Sequence, residues 1–335
     1  MRSSFYSILT LGASVAASPV YSSSAKRWQK LAPIPSPRQE QATVALSDTK
    51  IAIVGGIVSN ENGTGVVTTD LVQVYDIPSD SWSTVEPLPS AMNHPNAAVV
   101  NGKLYLLGGL TPEETAAWQA TTACWVYDPE GDVWAELEDM PEDEGRGSAT
   151  IVLVPGPAGE QRSVATVTTY DTETGEWSVW PSLPLERDHA GGAVIDGKMY
   201  VLGGRRFGQT NVTDTVFSLD LSSPEEGWTT SDARMPTPRG GLAAGTVSVK
   251  AKDGYLTSLV YTFGGEGNGL QGSDGMFDEV EVFDPRDGGS WAQKGRMPIA
   301  KHGTAAVSVG GRVYIPGGGI RVGGSPVSDF EAYFP

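Results

Sequence analysis

One cysteine in 335 residues excludes a disulfide framework and any cysteine-rich metal site. Basic residues are scarce. The 23 Lys and Arg stand against 40 Asp and Glu, and a formal charge of −17 excludes a sequence-independent nucleic-acid binder. Beyond the N-terminal segment no stretch reaches the roughly 18 continuous apolar residues of a membrane helix. No Gly-x-Ser-x-Gly elbow exists, so an α/β-hydrolase has no nucleophile. Gly267–Gly272 matches the dinucleotide fingerprint by letter, but no helical pattern follows to receive a pyrophosphate. What is abundant is glycine (42) and proline (23), beside 39% hydrophobic residues, which describes a loop-rich, acidic globular chain.

Residues 1–17 have the make-up of a secretory signal: Arg2, a short apolar stretch from Phe5 to Val15, and small residues at Val15-Ala16-Ala17. Residues 18–335 then form a single domain of a secreted protein. Two acceptor sequons, at Asn62 and Asn211, agree with export and glycosylation. Cys124 is expected to be a small buried hydrophobe.

The chain repeats itself. Glycine doublets close apolar runs at Gly55-Gly56, Gly108-Gly109, Gly203-Gly204, Gly264-Gly265 and Gly317-Gly318. The first four are each followed by a polar loop and an apolar strand, ending in Tyr75-Asp76, Tyr127-Asp128, Leu219-Asp220 and Phe283-Asp284, with Tyr170-Asp171 at the equivalent place of a repeat without a doublet. A tryptophan comes six to eight residues later: Trp82, Trp134, Trp177, Trp228 and Trp291, with Trp28 heading the series. The mean period of about 53 residues and these landmarks resemble the kelch repeat, one four-stranded propeller blade per repeat, from Trp28 to the C-terminus. Asn101-Gly102 and Asp196-Gly197 supply hairpin turns between apolar runs, and the tryptophans are expected to pack between blades.

The resemblance implies an all-β, six-bladed kelch propeller. Trp28–Leu31 lacks a blade of its own, and the last repeat lacks a tryptophan strand, so the N-terminal strand is expected to complete the C-terminal blade. The third blade reads as truncated: Trp134 and Trp177 stand 43 apart, against 54 and 52 for the two preceding intervals, and no glycine doublet intervenes.

In a kelch blade the first strand lines the central channel and the loop leading into it opens on one face. Three residues after the proline of that loop stand Arg38, Met92, Arg187, Arg239 and Lys301, with Arg146 at the irregular blade. His94, His189 and His302, all the histidines of the chain, lie within two residues of this position. Two readings stay open. The cations bind strand-end carbonyls, or they form a ring that concentrates positive potential and takes an anionic ligand. Arg205, Arg206, Phe207 and Trp118 are the most recognition-like loop residues.

The landmarks resemble those of secreted fungal kelch-repeat proteins, some of them encoded beside secondary-metabolite genes. The implied function is a monomeric binding module for a protein, glycan or small metabolite. The alternative is a cofactor-free isomerase, mutarotase or cyclase. There, Arg187, Arg239 and Lys301 would orient a substrate and His189 would shuttle protons. Bacterial sialic acid mutarotases offer the enzymatic analogy, sharing mainly the repeat. No cofactor is expected, and the histidine spacing, being that of the repeat, argues for no metal.

Overall fold

The computed structural model describes residues 27–113, 118–148, 154–155, 161–250, 256–267 and 275–335. The signal segment, most of the expected first strand of the third blade and most of the fingerprint-like run lie outside them. No α-helix occurs among the described residues.

The chain forms an all-β propeller with five four-stranded blades rather than the six expected. In repeat order, blade I comprises Ala42–Ser47, Lys50–Val54, Val72–Asp76 and Ser81–Thr84. Blade II comprises Ala97–Val100, Lys103–Thr111, Gln119–Asp128 and Val133–Glu136. At position III Val167–Tyr170 pairs with Trp177–Trp180 in one two-stranded ribbon, and Val154–Pro155 pairs with Gln161–Arg162 in another. Blade IV runs from Gly191–Ile195 to Thr229–Thr230, and blade V from Ala243–Lys250 to Ser290–Arg296. Among the described residues position III therefore holds no four-stranded sheet, in keeping with a repeat of 43 residues without a glycine doublet.

Closure falls where the chain ends predict. Trp28–Lys30 pairs antiparallel with Phe330–Tyr333, giving blade VI its fourth strand beside Arg312–Pro316 and Val307–Val309. The outer edge of the last sheet is thereby covered.

The tryptophans latch neighbouring repeats. Trp28, Trp82, Trp134, Trp177 and Trp291 each stack on an aromatic residue of the neighbouring strand, as in Tyr75–Trp82 (5.1 Å) and Phe283–Trp291 (5.2 Å). Indole Nε1 donates to a carbonyl of the preceding repeat in Trp82 to Ala32 (2.9 Å), Trp134 to Glu86 (3.1 Å), Trp228 to Pro181 (2.7 Å) and Trp28 to Arg296 (3.0 Å). The glycine doublets make the matching contact near the axis. Gly56, Gly204, Gly265 and Gly318 donate their N–H to the carbonyls of Met92, Arg239, Lys301 and Arg38, each in the next repeat around the ring. The glycine before each donor has a left-handed φ, between 57° and 62°, and its Cβ would strike that same carbonyl.

Candidate functional site

Of the two readings of the leading-loop cations, the geometry agrees with the one in which they bond within the blades and do not face the channel. Arg38, Arg187, Arg239 and Lys301 are buried and point along their own blades. Arg239 donates to Glu281 (2.6 Å), to the Gly264 carbonyl (2.6 Å) and to Thr262 (3.0 Å). Lys301 Nζ lies 2.5 Å from Glu331 Oε2. Arg38 bonds Gln73 and the Leu71 carbonyl. Arg187 bonds Thr215 and lies 4.8 Å from the centre of the Phe217 ring. Each cation has at least one acceptor that is a third-strand residue or its neighbour. In blade II, where Met92 replaces the cation, the residue matching Gln73 and Glu281 is Trp125, and both pack in one hydrophobic cluster. The side chain in the leading loop and its third-strand partner change together, as pinning of the blade end requires.

The histidines do gather at the axis. Two residues after each cation position stand Glu40, His94, Ser148, His189, Gly241 and Gly303, all left-handed, with φ of 56°, 50°, 60°, 52°, 62° and 56°. Their backbones form a ring around the channel: the N–H groups of His94, Ser148, Glu40, Gly303 and Gly241 donate to the carbonyls of Glu40, His94, Gly303, Gly241 and His189. A non-glycine residue in this conformation costs about 1–2 kcal/mol, yet four of the six positions carry side chains and only two carry glycine. The glycines make room, since a Cβ on Gly303 would occupy the place of the Glu40 carboxylate.

A second layer lies just after the glycine doublets. Each such residue forms a backbone bridge to the residue before the ring: Ile57 with Gln39, Leu110 with Asn93, Arg205 with Asp188, Glu266 with Gly240 and Gly319 with His302. Blades I and II put buried aliphatic plugs there, whereas blade IV puts a partly buried arginine and blade V a buried glutamate. Arg205 ties the layers together, bonding Asp188 (2.7 Å) and Glu266, with its Nη2 3.0 Å from His189 Nε2. Trp118 faces His94 at 5.5 Å between ring centres. Arg206 pairs with Glu186 away from the neck, and Phe207 is exposed.

The electrostatics follow from this crowding. Burial alone would raise the Glu40 carboxyl, but the charge and hydrogen bond of His94, with His189 and His302, hold it well below the usual carboxylate range. Asp188 is likewise lowered: burial works against it, and His189, Arg205 and Ser163 outweigh burial. Burial and then Arg205 lower His189. Of the buried side-chain atoms without a hydrogen-bond partner among the described residues, two face each other at the neck: Glu266 Oε2 and His302 Nδ1, 3.5 Å apart. His302 Nε2 donates to the Arg321 carbonyl (2.8 Å), which fixes its tautomer and leaves Nδ1 as an acceptor in the neutral ring. Beneath the ring the channel widens into a cavity of about 640 Å³, walled by first-strand residues such as Ala42, Ala98, Ala193 and Ala244.

Glu40, Asp188 and Glu266 thus belong to the neck although the sequence pattern did not single them out. The available signal was the ring position itself, where glycine in two repeats alternates with Glu and His in others.

The kelch motif model matches residues 92–141 and 186–225. The chain is 37% identical over 312 residues to the kelch-like protein terF of Aspergillus terreus, an alignment covering 89% of this chain and 65% of that protein. It is 28% identical over 240 residues to kelch-like protein 15 of Danio rerio, covering 64% of this chain and 38% of the relative. Beta-scruin of Limulus polyphemus matches at 22% over 92% of this chain and 34% of its own length. The chain therefore spans less than two thirds of these relatives. Among solved structures, that of YjhT superposes with a TM-score of 0.66 at 16% identity, over 90% of this chain and 96% of the other, a likeness of fold alone.

Proposed function

Since this chain belongs to the kelch-repeat family, whose propellers are binding and scaffold architectures, we propose that it binds a small, hydroxyl-bearing metabolite in the channel neck. The observation that carries this is the facing pair of unpartnered buried acceptors, Glu266 Oε2 and His302 Nδ1. A buried acceptor without a partner costs about 1–3 kcal/mol, and a ligand donor placed between them recovers that cost. With the four cations neutralised or sequestered inside the blades, the neck holds Glu40, Asp188 and Glu266 against Arg205 alone. That balance favours a neutral, donor-rich ligand over the anionic one expected from the leading-loop cations. The cavity of about 640 Å³ beneath the ring, walled by Glu40, His94 and His189 rather than by Glu266 or His302, has the ordinary size of a small-molecule site and gives the ligand its approach to the neck.

A second reading, a cofactor-free isomerase, mutarotase or cyclase, draws on the tautomer of His302. Its Nδ1 would take a proton from a ligand carbon or hydroxyl while Glu266 Oε2 stabilises the resulting imidazolium at 3.5 Å. On either reading the protein is a secreted monomer. Exposed Asn62 and Asn211 would carry its glycans, and Cys124, its thiol pushed up to about 11 by burial, would stay inert.

A thermal-shift screen against polyols, sugars, hydroxylated aromatics and organic acids tests the proposal. A ligand at about 100 times its Kd adds about 2.7 kcal/mol. A hydroxylated neutral compound whose shift disappears in Glu266→Gln is the expected outcome. Shifts confined to polyanions, or a shift that survives Glu266→Gln, would refute it.

A further inference from the structure

Glu40, His94 and His189 occupy three of the left-handed ring positions, and one donor atom from each lies within 4.8 Å of the others. His94 Nε2 is 3.1 Å from Glu40 Oε2. Metal–ligand bonds of about 2.1 Å at tetrahedral to octahedral angles place neighbouring donor atoms roughly 3.0–3.4 Å apart, so this pair already has the separation that a bound ion imposes. Each histidine is also oriented by the residue before it. Asn93 Oδ1 lies 2.5 Å from Nδ1 of His94, and Asp188 Oδ1 lies 2.9 Å from Nδ1 of His189. Both oxygens accept, so each Nδ1 carries a proton and each Nε2 is the atom turned to the site, His94 Nε2 sharing a proton with Glu40 Oε2 and His189 Nε2 facing Arg205; outer-shell carboxylates and amides orient metal-binding imidazoles in this way.

We propose that Glu40, His94 and His189 form a three-ligand site for a divalent transition ion of the zinc, cobalt or iron(II) kind, with its remaining positions open to the channel. Two imidazoles and one carboxylate select such ions over magnesium or calcium, which take oxygen ligands. The charge around the site agrees, since Asp188 and Glu266 add to Glu40 against the single guanidinium of Arg205. Two groups now stand where the ion would. The proton that joins His94 Nε2 to Glu40 Oε2 is released on binding. Arg205 Nη2, 3.0 Å from His189 Nε2, turns aside, and rotation of the His189 side chain closes the remaining distance.

The site is independent of the metabolite reading, because the probe is cobalt(II) alone. Chelator-treated full-length protein is titrated with cobalt(II) and followed by visible absorption and calorimetry. The expected result is a ligand-field band that saturates at one equivalent, is displaced by zinc, and weakens at least tenfold in affinity in Glu40→Gln and His189→Gln. Asp188→Asn, a positioning change, weakens it 10- to 100-fold. X-ray absorption of the wild-type cobalt complex, which needs no variant to fold, reports two imidazole ligands. An unsaturable band, a coordination shell of oxygen alone, or one equivalent unaffected by folded Glu40→Gln and His189→Gln overturns the site.

Discussion

Replacing Arg239 by methionine removes the buried cation that holds blade V together at its axial end. The guanidinium is fully buried and donates to Glu281, Thr262 and the carbonyls of Gly264 and Thr237. Its loss leaves the Glu281 carboxylate, 2% exposed, facing apolar surroundings with Thr237 as its remaining side-chain donor. Breaking a buried ion pair from one side costs about 3–5 kcal/mol. With an unfolding entropy of about 2.1 cal/mol/K per residue, that corresponds to a fall in Tm of about 4–7 °C for a chain of this length. Blade II shows what repairs the loss: Met92 opposite an apolar third strand at Trp125. Arg239→Met with Glu281→Met should therefore recover most of the fall, since a buried pair replaced by apolar residues is often neutral. Thermal unfolding of both variants, with circular dichroism to confirm folded starting states, is the assay. A single variant that melts with the wild type, or a double variant that melts lower than the single, would refute the pinning role.

Two further outcomes follow from the fold. Trp28→Ala removes the stack on Tyr333 (4.9 Å) and the bond to Arg296, and should cost about 3–5 kcal/mol in denaturant unfolding; an effect below 1 kcal/mol would mean that closure does not depend on the N-terminal strand. The aspartates that end the third strands, Asp76, Asp128, Asp171, Asp220 and Asp284, all lie below the ordinary carboxyl range. Hydrogen bonds from Ser79, Lys103, Glu173, Ser222 and Arg286 are the leading causes. A depressed folded-state pKa gives stability that is complete above about pH 4 and is lost as pH falls through the lowered values. Tm should accordingly hold from pH 7 to about pH 5 and drop steeply below pH 4, and a Tm flat to pH 3 would contradict this.

The propeller was legible because its landmarks recur. Gly-Gly, Tyr-Asp and Trp mark backbone approaches, turns and latches that every complete blade needs, and the unpaired Trp28 strand disclosed the closure. The blade number was not legible, because spacing alone cannot show whether the short third repeat builds an inner pair of strands. The cations were placed in the correct loop, but the sequence left open whether they face the channel or their own blades. Their direction is set by the third strand, and the signal was the paired change of Arg38 with Gln73, Arg239 with Glu281, Lys301 with Glu331 and Met92 with Trp125. Glu40, Asp188 and Glu266 went unremarked because acidic residues are common in so acidic a chain. Only their register, where other repeats hold glycine or an aliphatic plug, sets them apart.

The central claim is that the neck binds ligand while the leading-loop cations build the blades. Calorimetric titration of the strongest hydroxylated hit into wild type, Glu266→Gln and Arg239→Met tests it most directly. The account predicts that Glu266→Gln loses at least tenfold in affinity, while Arg239→Met, though less stable, binds within about twofold of wild type at a temperature where it is folded. Loss of binding in Arg239→Met with retention in Glu266→Gln would contradict it.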